Sequence, residues 1–343
     1  MLGATGQIGR AAVRALAGDG WDVTAASRGG GRDRTWQGDV RTVALDRDED
    51  GALASVIGDG CDVLVDMVAF GGEHAAQLTG LAGRAGSVVV ISSAAVYEDD
   101  RGRGFDTQEE PDGAPRYPDP VPESQRTVAP GGSTYATRKV LLERELLAAG
   151  DSLPVTLLRA GAVHGEYCRT PRELYFVKRV LDGRRRRVLA FGGRSRFHPV
   201  HVSNVAELIR LAALHPGARV LNAGDPEAPT VAGIAALIDG VLGVETETVL
   251  MDGPPEGGVG ETPWTLAHPV VLDMTAAKRE LGYRPVTAYA DSLPATVEWL
   301  ASELRDRDWR EGFPKMLRNY GPGLFDYPAE DAWLERYDGI RVR

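Results

Sequence analysis

The chain has 343 residues, 43 % hydrophobic and 26 % charged, a globular composition that excludes collagen-like, disordered and disulfide-scaffold classes. Its 39 basic and 49 acidic residues leave a net charge of −10, which disfavours general affinity for nucleic-acid backbones. Cys61 and Cys168 cannot build a disulfide framework, and no apolar run reaches the roughly 18–20 residues of a membrane span. With no signal segment recognised, the expected location is cytoplasmic and the expected partner a small molecule, with neither membrane nor nucleic acid involved.

The chain opens on Gly3-Ala4-Thr5-Gly6-Gln7-Ile8-Gly9, a G-x-x-G-x-x-G loop, and the pattern that follows predicts a helix over 7–17. Short β-rich runs follow at 22–27, 42–45, 62–68 and 87–92, with a helical pattern at 74–85. Two later runs, 155–159 and 220–222, are expected to join the same sheet. Strands that alternate with helices and are rich in Val, Ile and Leu predict an α/β fold, a Rossmann-type doubly wound parallel sheet. Such a unit has about five strand residues before its glycine loop, whereas only Met1 and Leu2 stand there. We read this as residues missing upstream, with a truncated central strand as the alternative.

The polar, Pro-rich stretch 98–133 is expected to form a substrate lid. The domain expectation is a dinucleotide-binding domain over 1–165, with a strand return near 196–225. A smaller substrate-binding lobe takes 166–195 and 226–343. Within it Arg184 to Arg187 read as a solvated charged run, a binding role being the lesser alternative. The tail aromatics Trp309, Phe313, Tyr320, Phe325, Tyr327, Trp333 and Tyr337 are expected to pack on the body. His198 and His201 have no ligand-spaced partners, so no metal site is expected.

Glycines in the first loop let the backbone turn tightly and approach a pyrophosphate, whose charge sits at the positive helix end. The end of the second strand chooses the cofactor. An acidic residue there binds the adenosine ribose hydroxyls of NAD. Here stand Ser27 and Arg28; a guanidinium can pair with a 2′-phosphate, so NADP(H) is favoured and NAD(H) is the other option. An ordinary surface arginine is the competing reading of Arg28.

Tyr135 and Lys139 stand four apart in a helical segment and share one face. A nearby ammonium favours tyrosinate and suits the phenol to proton transfer near neutrality. The strand 87–92 ends in Ser92-Ser93-Ala94-Ala95-Val96-Tyr97, placing the Ser93 hydroxyl at the sheet edge where open α/β folds bind ligands. Ser93 can therefore donate to a substrate carbonyl; a turn or helix cap is its competing role.

The glycine loop, SSAAVY, YATRK, the run Arg196 to Ala206 and residues 273–285 (DMTAAKRELGYRP) resemble extended short-chain dehydrogenase/reductases, in particular the NAD-dependent epimerase/dehydratase family, over roughly residues 1–300. The resemblance implies Ser93, Tyr135 and Lys139 as the catalytic set. It implies cofactor contacts from Gly3, Gly6, Gln7, Ile8, Gly9, Arg28, Asp46, Met67, Val68 and Ala69, with Tyr135 and Lys139 at the nicotinamide ribose. Substrate contacts fall on Ser93, Ala94 and Arg196, and family habit suggests a homodimer.

The departures matter as well. Dehydratases of the family carry an Asp-Glu pair where Ala94 and Ala95 stand, and alanine cannot move protons, so sugar dehydration is disfavoured. The Asn of the family's nucleotide-sugar members is replaced by Ala162, and only Arg196 matches a diphosphate-binding arginine. The leading expectation is therefore an NADPH-dependent reductase of a ketone on a small or mid-sized metabolite. The alternatives are a nucleotide-sugar 4-epimerase with tightly bound NAD and a non-catalytic dinucleotide-binding relative.

Overall fold

A computed structural model describes residues 1–341. The chain forms two compact units. The first comprises Met1–Val163, Pro199–Pro226 and Val270–Thr287; the second comprises His164–His198, Glu227–Pro269 and the chain from Ala288 onward.

In the first unit the elements follow one another as α1 (Gln7–Gly18), β1 (Thr24–Ser27), β2 (Arg41–Ala44), α2 (Ala52–Ile57), β3 (Cys61–Asp66), α3 (Gly72–Thr79), β4 (Ala85–Ser93), α4 (Tyr135–Leu147), β5 (Val155–Ala160), α5 (Val202–Leu214), β6 (Arg219–Ala223) and α6 (Thr275–Leu281). These strands pair in parallel. β3, β4, β5 and β6 lie side by side, with Val90 of β4 opposite Leu157 of β5, and β1 pairs β2. Leu2 joins the two groups by bridging to Ala26 on one side and Asp66 on the other.

Side chains alternate across each strand, and both faces are apolar because both are covered. Val88, Val90, Val155 and Leu157 pack with Leu78 of α3 and Leu142 and Leu146 of α4. Val89, Ile91 and Leu158 pack on the opposite face with Ala12, Val13 and Leu16 of α1 and Leu208 and Ile209 of α5. The sequence-predicted helix over 74–85 ends at Thr79 instead, because Gly80 caps it and Gly83 turns at φ +79°. Beside Leu2 lies a cavity of about 270 Å³ lined by Leu16, Val23, Thr24, Leu53, Cys61 and Val63, among others.

The stretch 98–133 is fixed by its own hydrogen bonds. Asp99 is buried, and its carboxylate accepts from the backbone of Arg101, Arg103 and Arg116 and from Arg103 Nε at 2.8 Å. Tyr117 donates to the Tyr97 carbonyl at 2.8 Å, and Val121 pairs with Val271 and Asp273 through their backbones.

The second unit holds the parallel strands Arg186–Leu189 and Glu247–Leu250, with helices including Leu174–Leu181, Val231–Leu242, Tyr289–Glu303 and Tyr327–Arg341. Here the reading of Arg184 to Arg187 as a solvated run is corrected for all but the exposed Arg185. Arg187 is buried on Asp239 (2.5 Å), Arg186 holds Glu247 and Asp338, and Arg184 holds Glu330 and Asp331, the first of which Arg179 also grips. The tail aromatics pack within this unit: Trp309 and Phe313 are buried, and Trp333 stacks on Tyr337 at 5.2 Å. No helix among the described residues is long and apolar enough to cross a membrane.

Candidate active site

The C-terminal edge of the first unit's sheet gathers the loop ends of β1, β3 and β4, the edge at which open parallel sheets bind ligands. The glycine loop leaves the sheet there. Gly3 turns at φ +78°, and its carbonyl accepts from Gly6 N at 2.9 Å. A Cβ on Gly9 would stand 2.3 Å from the Gly3 oxygen, so only glycine lets α1 start this close to the strand. The first turn of α1, with Gln7 and Ile8, has no acidic residue, which leaves its positive end open to an anion. This cradle, which a Cβ would fill, and its backbone N–H donors fit the pyrophosphate of a dinucleotide.

At the end of β1 the Ser27 hydroxyl is buried and has no hydrogen-bond partner among the described residues, and Arg28 beside it is exposed. Asp46 is half-buried and accepts from Asp48 N at 3.1 Å. Met67, Val68 and Ala69 follow β3 in a loop held from beneath. Asp66 accepts from Val68 N at 2.9 Å and pairs with Arg47 at 2.5 Å, while His74 Nδ1 accepts from Phe70 N at 2.9 Å.

Ser93, Tyr135 and Lys139 are brought together. Thr134 caps α4 and exchanges hydrogen bonds with Thr137, which fixes Tyr135 as the first helical residue. The Ser93 hydroxyl lies beside the Tyr135 phenol, and its Oγ accepts from Ala95 N at 3.1 Å, so Ser93 both caps a turn and faces the phenol. One turn along, the Lys139 ammonium is buried and donates to the carbonyls of Ala69 (2.6 Å) and Ile91 (2.9 Å).

Burial pulls the Lys139 pKa down to about 8, with Asp66 and Glu143 acting in the opposite sense. Tyr135 keeps half its surface exposed, yet protein crowded around its hydroxyl raises the phenol above its ordinary value, partly offset by the nearby Ser93 hydroxyl. Phe70 was not among the sequence candidates. Its ring lies 4.9 Å from the Lys139 ammonium and meets Tyr135 edge to face at 6.2 Å. A lone aromatic after an apolar strand gives no warning of this. Ala94 is buried beside Ser93, and Arg196 belongs to the second unit, where its Nε donates to the Ala228 carbonyl at 3.0 Å.

Comparison with known proteins adds three findings. The model of the NAD dependent epimerase/dehydratase family matches residues 1–224. No curated protein matches the sequence. Among solved structures, similar folds include a UDP-glucose-4-epimerase from Stenotrophomonas maltophila with bound NAD and formylated UDP-arabinopyranose (TM-score 0.68, 19 % identity, 89 % of this chain and 98 % of that one). They also include a UDP-N-acetylglucosamine 4-epimerase from Methanobrevibacter ruminantium in complex with UDP-N-acetylmuramic acid (0.65, 19 %, 88 % and 97 %) and a UDP-galactose 4-epimerase (0.63, 21 %, 88 % and 98 %). At these identities the likeness is one of fold.

Proposed function

The chain belongs to the NAD dependent epimerase/dehydratase family, and from that premise we propose that it interconverts a carbinol and a carbonyl on a nucleotide-sugar-like substrate, as a redox-neutral 4-epimerase using a nicotinamide dinucleotide. The observation that carries this is a lysine fixed by two carbonyls one helical turn from Tyr135, with the Ser93 hydroxyl beside the phenol. The sugar-nucleotide epimerases of similar fold support the substrate class, and the family match supports the cofactor. Ala94 and Ala95, which cannot transfer protons, weigh against dehydration.

Gly3, Gly6, Gln7, Ile8 and Gly9 would hold the pyrophosphate, Asp46 the adenosine half, and Met67 to Ala69 the ribose. When bound, the dinucleotide would supply the hydride acceptor for the substrate carbon and then the hydride for its opposite face. Tyr135 Oη removes the proton of the reacting hydroxyl as that carbon is oxidised and restores it on reduction. Ser93 Oγ donates to the same oxygen and holds it against the phenol. Lys139, still charged at neutral pH because it titrates near 8, offsets the cost of a tyrosinate in this crowded setting.

One observation favours a second reading, a net reduction of a ketone by NADPH. Ser27 and the exposed Arg28 stand where an NAD enzyme carries an acid, and both suit a 2′-phosphate. One experiment decides between them. The purified protein is incubated with UDP-galactose, UDP-glucuronic acid and UDP-N-acetylglucosamine without added reductant and followed by proton NMR, while NADPH consumption is recorded on a ketone panel. Inversion at the sugar C4 that disappears in Tyr135→Phe upholds the epimerase; NADPH consumption without inversion overturns it in favour of the reductase.

A further inference from the structure

At the end of β4 three consecutive residues each reach α4. The Ile91 carbonyl accepts from Lys139, Ser92 Oγ donates to Glu143 Oε1 at 2.5 Å, and Ser93 meets Tyr135. The three helix positions stand four apart on one face, so they form a ladder with three rungs. Two rungs carry the chemistry proposed above. The third, Ser92 to Glu143, has no part in it.

Glu143 is only 2 % exposed in a helix whose neighbouring buried positions are Val140, Leu142 and Leu146. Arg159 of β5 closes on its carboxylate through Nε (3.1 and 3.3 Å) and Nη2 (2.7 Å). Arg159 is fixed in turn by the Glu123 carbonyl at 3.0 Å and by the Tyr97 ring at 4.9 Å, and the Tyr97 hydroxyl donates to Asn222 of β6 at 2.6 Å. A buried ion pair of this kind is seldom more stabilising than two apolar side chains of the same volume, because both charges lose their water. What it adds is register. An apolar contact tolerates sliding of the helix, whereas a step of about 1.5 Å, one residue's rise, breaks these directed bonds.

We propose that Glu143, clamped by Arg159, is a positioning residue that locks α4 against the last three residues of β4, so that the Tyr135 and Ser93 hydroxyls stay in contact and a negative charge stands one turn from Lys139. This rests on the reading of Ser93, Tyr135 and Lys139 as the working set. The charged groups facing Lys139 are Asp66 at the end of β3, Arg47 after β2 and Glu143 on its own helix; Asp66 and Glu143 hold the ammonium's proton on, and Arg47 opposes them. Loss of the Glu143 charge therefore lowers the Lys139 titration.

The test uses two variants of the full chain. Glu143→Leu combined with Arg159→Met removes the pair without leaving an orphan charge. Ser92→Ala removes one rung and keeps the pair. The chain's lysines are Lys139, Lys178, Lys278 and Lys315, so NMR of protein labelled at lysine Cε follows Lys139 directly, with Lys139→Arg giving the assignment.

The expected midpoint is near 8 in the parent and in Ser92→Ala, and lower by about 0.5–1 pH unit in the double variant. In a crystal structure of Ser92→Ala the Tyr135 and Ser93 hydroxyls stand farther apart than in the parent. Turnover falls about tenfold in both variants while KM and dinucleotide affinity hold, a split that a merely structural role would not produce. Retention of the hydroxyl contact in Ser92→Ala overturns the positioning role even if the double variant does not fold, and a parental Lys139 midpoint in a folded double variant overturns the charge role. The NMR and crystallographic readouts need no substrate. Failure to turn over any sugar would sink the functional reading and leave this one standing.

Discussion

Buried arginine–carboxylate pairs occur in both units and do different work. In the first, Arg159–Glu143 and Arg47–Asp66 lie at the sheet edge where Tyr135, Lys139 and the 67–70 loop are held. In the second, Arg187–Asp239 and Arg179–Glu330 fasten a strand and the helix Tyr327–Arg341 to their neighbours. On the proposed function, the same chemistry sets a reacting geometry in one region, while it staples secondary structure in the other. Burial and pairing alone therefore do not identify a functional charge; what each partner is attached to does.

This contrast can be broken or sharpened by experiment. The largest effect is expected at Tyr135→Phe, which deletes the proton carrier and leaves the ring contact with Phe70: turnover falls about 10³-fold with thermal stability and dinucleotide binding unchanged. Next is Gly9→Val, whose Cβ meets the Gly3 and Ala4 carbonyls at 2.3 and 2.6 Å; dinucleotide binding by calorimetry falls more than about a hundredfold, near 3 kcal/mol.

In the second unit Glu330→Ala leaves Arg179 and the Val188 N–H without their carboxylate acceptor, and Arg184 with Asp331 alone. A loss of about 3 kcal/mol, read by chemical unfolding, is expected, with the Lys139 titration unmoved. If Lys139 moves with it, the division between the two regions fails.

Asp99→Asn costs about 2 kcal/mol. Burial raises the Asp99 carboxyl, but the hydrogen bonds from Arg103, Arg116 and Arg101 outweigh it and hold the group well below the usual carboxylate range. A depressed carboxyl stabilises the fold above its unfolded pKa and loses that contribution as pH falls through the folded one. The gap between parent and variant in an unfolding series from pH 6 to pH 2 therefore closes on the acid side. The smallest effect is at Arg28→Ala, which on the NADPH reading weakens NADPH about tenfold relative to NADH, or 1.4 kcal/mol.

The sheet was legible in the sequence because both its faces are covered: runs such as Val88 to Ile91 have no solvent side to encode and read as β throughout. The glycine loop and the Tyr135–Lys139 spacing were legible because their geometry is local. Glu143 was not. On paper it is one acid in LLERELL, and nothing there shows that Ser92 and Arg159 close over it. Arg184 to Arg187 misled for the same reason, since partners such as Glu330, Asp331 and Asp338 lie some 150 residues away in sequence. The contacts of Asp99, Tyr117 and Val121 that tie down the stretch 98–133 leave no periodic trace in the sequence.

The β1–β2 ribbon and the β3–β6 block meet at residues 1–4, where Leu2 bridges to Ala26 on one side and to Asp66 on the other. A dinucleotide lying over the glycine loop would touch Arg28 on the ribbon and Met67 to Ala69 on the block, stitching the seam from above. Amide hydrogen exchange in β1 and β2 will then slow on cofactor binding far more than in β4 and β5.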